Sequence, residues 1–336
     1  MNRDPYSGRR PGPAAGLAAD AGRLRASVAG LPWPRHRQER PLETSQAERT
    51  IVDTLESLGW RPARVAFDPW GGHVGSGKAE ELPGVNILSV REGSKSRDAL
   101  IVEAHYDTVR DSPGADDNGS GVAVLLEAAC LLSRFEFERT VLLAFTDFEE
   151  RGFLGAAHLV HKPPGGRKLA GALILESVGY YDPTPGSQQL PAGLEVLYPL
   201  LARQLAARRN AGDWLAVVTQ ENSRRLGDVL VREMDAVAGK DFALVLSDPA
   251  ELAGPSGRGE EGKALRRLMM MADHVPFWEA GLPAVLVTDT AFLRSPNYHK
   301  PTDTPDTLDY NRMALLAAGL ASSVAILAGG RPAAKH

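Results

Sequence analysis

The chain alternates short apolar runs with segments of helical periodicity, and this alternation is the feature that most constrains its fold. The apolar or β-branched runs predict strands at Arg64–Phe67, Asn86–Val90, Ala99–Ala104, Val141–Phe145, Leu173–Leu175 and Ala284–Val287. Helical spacing is found at Ser45–Leu58, Gly121–Leu132, Phe153–Val160 and Asn311–Leu327. Strands that alternate with helices form a parallel or mixed sheet covered on both faces. The pattern therefore predicts an α/β fold: a single domain with a mixed, mostly parallel, twisted sheet and helices on both faces.

The composition is that of an ordinary folded protein, and it argues against two classes of partner. The 336 residues are 43% hydrophobic with a mean hydropathy of -0.21, and a chain of this length buries a sizeable core. Lys and Arg number 38 against 42 Asp and Glu, which gives a net charge of -4. A net charge this small and negative does not attract a polyanion or an acidic membrane surface. We therefore expect neither nucleic acid nor a membrane as a partner.

Two segments depart from the alternating pattern. Residues 1–40 are rich in Pro, Gly and Arg, so we predict a mobile N-terminal arm with one short helix near Arg23–Ala29, followed by one domain over residues 41–330. At residues 184–270 the pattern loosens, with two helices predicted at Leu194–Arg208 and Ser223–Val237. We interpret residues 184–270 as an insertion or cap on the domain.

The sequence predicts neither a membrane span nor a secretory signal. Met313–Leu327 is the most apolar stretch, but it is shorter than the ~20 residues that cross a bilayer and is interrupted by Gly319. We expect it to be a buried C-terminal helix. The N-terminus lacks the apolar stretch of ~7 to 15 residues that a secretory signal requires, which favours a cytoplasmic location.

Several predicted strands run directly into acidic or imidazole side chains. The residues that follow the strands are His105 with Asp107, Glu149 with Glu150, Glu176 and, after a short loop, His299. In open α/β sheets, ligands bind in the crevice outside the carboxyl ends of the strands. Asp117 lies in a glycine-rich loop, residues 114–121, directly before a predicted helix. The topology therefore predicts that these groups meet in one crevice.

Each of these residues has a structural explanation when it is considered alone. A histidine at a strand end is commonly hydrogen-bonded, an acidic doublet is commonly a solvated turn, and an aspartate before a helix is commonly an N-cap. Together, however, so many acidic groups at one sheet edge would repel one another unless cations offset their charge. Imidazoles among carboxylates favour zinc over magnesium or calcium.

These segments resemble the co-catalytic di-zinc peptidase family that includes bacterial leucyl aminopeptidases, glutamate carboxypeptidases and the related glutaminyl cyclases. The resemblance covers Ser45–Leu327. It is carried by His105-Tyr106-Asp107, the loop Gly114-Ala115-Asp116-Asp117-Asn118-Gly119-Ser120-Gly121, the doublet Glu149-Glu150 with Gly152 and Gly155, Glu176, Asp273-His274-Val275-Pro276-Phe277, and His299 in the sequence NYHKPTDTPDTL.

The resemblance implies roles for the matching residues. Asp117 is expected to bridge two zinc ions, with His105 and Glu176 completing one site and Glu150 and His299 the other. It also implies that Glu149 is the general base and that Asp273 and His274 border the substrate pocket. Many aminopeptidases of this type have Asp where this chain has Glu176, so we expect two ions but regard one as possible.

The chemistry sets further requirements on two positions. Glu149 must stay off the metal to move a proton, and the adjacent doublet can supply both a base and a ligand only if the chain turns there. Asp107 lies on the same side of an extended chain as His105, so we expect it to accept the second imidazole N–H.

We therefore expect a zinc-dependent aminopeptidase that hydrolyses the N-terminal bond of short peptides. The alternatives are a single-zinc cyclase of the glutaminyl cyclase type and a non-catalytic binding relative, although the loop at 114–121 is more similar to the peptidase form. Residues 72–79 match a phosphate-binding loop except at Ala79, which lacks the hydroxyl that binds magnesium. The sequence leaves the side-chain preference, the recognised terminus and the oligomeric state open.

Overall fold

A computed structural model of the chain describes residues 16–69, 82–252 and 259–333. The strands are β1 (Pro62–Phe67), β2 (Gly84–Arg91), β3 (Ser96–His105), β4 (Phe135–Glu136), β5 (Arg139–Thr146), β6 (Leu169–Glu176), β7 (Leu215–Thr219), β8 (Ala243–Ser247), β9 (Ala284–Thr288) and β10 (Arg331–Pro332). Among these residues, a sheet of 8 strands has the order β1-β2-β5-β3-β6-β9-β7-β8, and β4 pairs separately with β10.

The centre of the sheet is parallel. Strands β5, β3, β6 and β9 are neighbours that run in one direction, so their carboxyl ends lie along the same edge. Strands β2 and β7 pair antiparallel with β5 and β9, which makes the sheet mixed. The predicted α/β fold, with a mixed and mostly parallel sheet, is confirmed.

Helices cover both faces of this sheet. They are α1 (Ala21–Gly30), α2 (Pro41–Ser57), α3 (Gly121–Leu132), α4 (Leu154–His161), α5 (Leu194–Leu197), α6 (Pro199–Ala207), α7 (Arg224–Ala238), α8 (Glu260–Met269), α9 (His274–Glu279) and α10 (Tyr310–Leu327). Side chains alternate along a strand, so Leu100 and Val102 join the cluster with α1, α2, α3, α7 and α10, whereas Ile101 joins the cluster with α4, α6, α8 and α9.

Helix α10 is the predicted C-terminal helix, and it lies in the core. It is long and apolar enough to cross a membrane by length and composition, but its apolar window is 67% buried inside the protein. It packs against α3 and α7, and both Leu316 and Leu320 are fully buried there. The burial accounts for its apolar composition.

Part of the expected N-terminal arm is packed against the domain. Residues 1–15 lie outside the described residues, but α1 buries Leu24 and Val28 in the core. The Arg23 guanidinium also contacts Glu127 of α3 at 2.6 Å. The folded region therefore begins before residue 41. The short helix predicted near Arg23–Ala29 is present as α1, but its packing against the core was not predicted.

The segment at residues 184–270 was expected to be an insertion or cap, but it extends the main sheet. It contributes β7, which pairs with β9, and β8, which pairs with β7. These strands are five residues long and therefore give a weak signal in the sequence. The helix predicted at Leu194–Arg208 is divided into α5 and α6, and Pro199 begins the second. Residues 72–79, which resemble a phosphate-binding loop, lie outside the described residues.

Candidate metal centre

The carboxyl ends of the parallel strands supply most of the candidate site. His105 is the last residue of β3 and Glu176 is the last residue of β6. After β5, Phe148 adopts a φ of 61° and begins a tight turn at Glu149–Arg151, so the doublet lies in the turn that its two roles require. His299, in the loop after β9, also has a left-handed φ, of 57°. Such backbone is uncommon for residues other than glycine and is enriched at functional sites.

Asp117 reaches the same edge from the loop before α3. Gly114 in this loop has a φ of 64°, and a Cβ there would lie 2.4 Å from the Asp117 carbonyl oxygen. A larger residue would therefore clash with the ligand loop. The Asp303 carboxylate accepts hydrogen bonds from the backbone N–H groups of Asp116, at 2.9 Å, and Asp117, at 3.2 Å.

The five predicted ligands form two triads that share Asp117. In the first triad, His105 Nε2 lies 3.3 Å from Asp117 Oδ1 and 3.1 Å from Glu176 Oε2. In the second, His299 Nε2 lies 3.0 Å from Asp117 Oδ2 and 3.3 Å from Glu150 Oε2. The donor atoms of each triad lie within 4.8 Å of one another. The two oxygens of one carboxylate therefore face two separate sets of donors.

The donor atoms fit a pair of divalent cations. His105 Nε2 and Glu176 Oε2 are buried without a hydrogen-bond partner among the described residues. Unpaired buried polar atoms are costly, and a cation between them would satisfy both. Imidazole nitrogen and carboxylate oxygen are the ligands that zinc accepts in sites with open coordination positions.

The charges of the site also indicate a place for cations. Burial raises the pKa of Glu176 to about 8 and the pKa of Glu150 to about 7. Burial lowers the pKa of His299, but hydrogen bonds to Asp117 and Glu150 outweigh it and raise this pKa to about 10. Without a metal, protons therefore take the place of positive charge among these carboxylates. Metal binding must displace such protons.

Glu149 lies beside the triads without joining them. Its Oε2 is 3.9 Å from His105 Nε2, and the residue is only 8% exposed. Burial raises the pKa of its carboxyl well above the ordinary range. A carboxyl next to the ligands and outside the triads has the position that a proton acceptor requires.

Asp107 contacts both His105, at the end of β3, and the Glu149-Glu150 doublet, which follows β5. Its Oδ1 lies 3.4 Å from His105 Nδ1, and its backbone carbonyl oxygen is closer to this nitrogen, at 3.2 Å. The two carboxylate oxygens accept the backbone N–H groups of Glu149, at 3.1 Å, and Glu150, at 3.3 Å. Asp107 therefore orients the imidazole and also holds the turn after β5.

Asp273 and His274, which were expected to border the substrate pocket, are not among the described residues that line the apolar cavity beside the first triad. Both are fully buried, and Asp273 Oδ2 accepts a hydrogen bond from Thr146 Oγ1 at 2.8 Å. Burial lowers the pKa of His274 to about 3, and its ring contacts Trp278 edge to face. Thr146 is the last residue of β5, so Asp273 lies near a strand end, but the family motif does not indicate whether its side chain faces a cavity or the core.

An apolar cavity of about 100 Å³ opens beside the first triad. Glu176 and Tyr298 border it, and among the described residues lining it none is Lys or Arg. Its apolar walls include Trp214, Leu246, Leu265, Met269, Leu286 and Phe292. Most of these lining residues belong to the segment 184–270. This segment was expected to form a cap, but it lines the cavity with residues of the main sheet and the helices beside it.

Two residues that were not predicted also shape the site. The Tyr298 ring stacks on the His299 imidazole with centroids 3.9 Å apart, and Asp303 holds the loop of Asp117. Both lie in the segment that supplies His299, and their proximity in sequence is the only signal that could have indicated them.

Comparison with known proteins identifies relatives of the central part of the chain. Residues 86–231 match peptidase family M28. The uncharacterized protein YfbL of Escherichia coli is 33% identical over 237 residues, an alignment that covers 66% of this chain and 64% of YfbL. The chain therefore spans less than two thirds of that relative.

Solved structures with this fold cover nearly the whole chain. An aminopeptidase from Aneurinibacillus sp. strain AM-1 aligns with a TM-score of 0.67 and 16% identity, over 94% of this chain and 95% of that one. The glutaminyl cyclase of Porphyromonas gingivalis aligns with a TM-score of 0.63 and 17% identity, over 92% of this chain and 99% of that one. At such low identity the likeness shows the fold alone.

Proposed function

The chain belongs to peptidase family M28, and on this premise we propose that it is a zinc-dependent aminopeptidase that removes an apolar N-terminal residue from short peptides. The observation that carries the proposal is the pair of triads sharing Asp117, with Glu149 beside them and an apolar cavity at their edge. His105, Asp117 and Glu176 would hold one ion, and Asp117, Glu150 and His299 the other.

The side chains of Glu149 and Asp107 would supply the proton transfer and its positioning. Two zinc ions held by the two triads would polarise a substrate carbonyl and lower the pKa of a bound water. Glu149 Oε2 accepts a proton from the attacking water and delivers it to the leaving amine. Asp107 keeps Glu149 in place, because its carboxylate holds the backbone N–H of that residue.

The described lining of the cavity offers no cationic side chain for a free carboxylate. Glu176 borders the cavity, and none of its described lining residues could pair with a substrate carboxylate as Lys or Arg would. A terminal carboxylate buried there would lack the cationic side chain that usually pairs with it. This arrangement favours an aminopeptidase over a carboxypeptidase.

The cavity favours an apolar side chain at the N-terminal residue. Trp214, Leu246 and Leu286 present apolar surface to it, and burying a leucine side chain contributes about 1.5–3 kcal/mol. A charged side chain would lose its hydration there without gaining an ion pair.

The complete second triad argues against the two alternative functions. A single-zinc cyclase needs only one triad, and here Glu150 and His299 complete another. A non-catalytic relative need not keep the ligands, yet every predicted ligand position holds a coordinating residue.

A series of aminoacyl anilides tests the proposal. We expect kcat/KM for a leucyl anilide to exceed that for a glycyl anilide by roughly 10- to 100-fold, because the cavity buries the added apolar surface. Lysyl and glutamyl anilides should be poorer than the leucyl compound by at least ~100-fold. Spectrophotometric release of the aniline, before and after removal of zinc with a chelator, measures these ratios.

Blocked substrates serve as controls for the recognised terminus. An acetylated leucyl anilide should resist cleavage, and a peptide blocked at its N-terminus should keep its C-terminal residue. Release of that C-terminal residue would indicate a carboxypeptidase. Ammonia released from glutaminyl peptides, without anilide hydrolysis, would indicate a cyclase.

A further inference from the structure

Arg35 is a fully buried arginine whose side chain contacts the loops that carry the metal ligands. Its Nε donates to the Tyr106 carbonyl oxygen at 2.7 Å, and its Nη2 donates to the Gly114 carbonyl oxygen at 2.8 Å. Nη1 donates to the carbonyl oxygens of Pro113, at 3.1 Å, and Pro32, at 3.2 Å. The guanidinium therefore joins the chain around His105 to the start of the loop that presents Asp117.

The backbone of Arg35 is attached to the same part of the protein. Its N–H donates to Thr108 Oγ1 at 2.9 Å, and the Thr108 N–H donates to the Arg35 carbonyl oxygen at 3.3 Å. Arg35 is thus fixed from both its backbone and its side chain. A planar group with five N–H donors is suited to hold several carbonyl oxygens at set distances.

The hydrogen bonds of this guanidinium go to carbonyl oxygens, and its electrostatic partners are the acidic groups of the site. They are Asp303, Asp107, Asp117 and Glu150. An unpaired buried charge is costly, and these carboxylates offset that cost. Arg35 is not among the described residues that line the cavity, and it supplies no donor atom to the triads.

We propose that Arg35 is a positioning residue of the metal centre, which sets the separation of His105 and Asp117 by bridging the backbone of their two loops. The inference rests on the metal site of the proposed function and concerns a residue outside that site. Its function depends on the forked shape of the guanidinium, because one ammonium group cannot span both loops.

Zinc affinity, measured by competition with a chromophoric chelator, tests this inference without any assay of peptidase activity. Residues that orient metal ligands typically contribute about 10- to 100-fold in affinity. We expect a loss in that range for Arg35→Met, and a similar loss for Arg35→Lys, which keeps the charge but not the fork. Circular dichroism identifies any variant that fails to fold. If Arg35→Met does not fold, the zinc affinity of Arg35→Lys tests the inference.

Arg23→Met is the matched control in the same part of the chain. The side chain of Arg23 pairs with Asp20 and with Glu127 of α3, and neither residue belongs to a ligand loop, so zinc affinity should change less than about twofold. Wild-type affinity retained by Arg35→Lys would show that charge alone is required and would overturn the bridging role. Unchanged affinity in folded Arg35→Met would overturn it as well. A wild-type protein that binds no zinc would instead contradict the proposed function.

Discussion

The Glu149→Gln variant is expected to lose roughly 10²- to 10⁴-fold in kcat toward a leucyl anilide while it keeps its zinc. Glutamine has nearly the same shape as glutamate but cannot accept and return the proton of the attacking water. Glu149 lies outside both triads, so the substitution should leave the metal donors in place. Steady-state kinetics combined with measurement of bound zinc separates the two properties.

Glu150→Gln provides the contrasting control, because the neighbouring side chain is a ligand in the second triad. This variant should lose zinc affinity, and its activity should fall for that reason. The two substitutions are thus predicted to have different effects: Glu149→Gln lowers kcat with zinc retained, whereas Glu150→Gln lowers zinc affinity. Near-full activity in Glu149→Gln, or loss of zinc equal to that of Glu150→Gln, would contradict the assigned base.

The pH dependence gives an independent check on Glu149. Burial raises the pKa of its carboxyl, and only the ionised form can accept a proton. At saturating zinc, the wild-type rate should therefore fall as the pH is lowered through the pKa of this carboxyl. The residual rate of Glu149→Gln should lack this dependence.

Asp117→Asn should weaken zinc binding by at least ~100-fold, because this residue supplies an oxygen to each triad. Even residues that only orient ligands contribute about 10- to 100-fold to metal affinity, and a ligand shared by two ions should contribute more. The amide also leaves His105 and His299 without the carboxylate they both face. Equilibrium dialysis against buffered zinc measures the loss, and anilide hydrolysis should decline with the zinc that is lost.

Asp116→Asn is the matched control at the neighbouring position. Burial raises the pKa of Asp116 well above its ordinary range, and the carboxyl shares a hydrogen bond with Asp289. Its Oδ1 accepts the Gly179 N–H at 2.8 Å, so asparagine can reproduce both interactions. Zinc binding should be close to wild type in this variant. Equal losses in the two variants would show that loop integrity, and not the bridging carboxylate, determines affinity.

The parts of the fold that were predictable are those with long, regular patterns. Central strands such as β3 and β5 are apolar runs that end in polar residues, and their shared direction follows from the helices between them. The convergence of His105, Glu150 and Glu176 could therefore be inferred from topology, because strand ends meet at one edge of a parallel sheet.

The parts that were not predictable depend on contacts between distant residues. Strands β7 and β8 are too short to be distinguished by periodicity, and they become strands by pairing with β9. Arg35 lies in a Pro- and Arg-rich segment that resembles a solvated arm, and only the carbonyl oxygens around it explain its burial. Asp273 follows a family motif whose sequence does not indicate whether the side chain faces the cavity or the core.

Stepwise addition of zinc to the metal-free protein, with bound metal and leucyl anilide hydrolysis measured on the same samples, tests the central claim most directly. We predict no hydrolysis without metal and full hydrolysis once two ions are bound per chain. Full activity in the metal-free protein, or a folded protein that binds no zinc, would contradict the account.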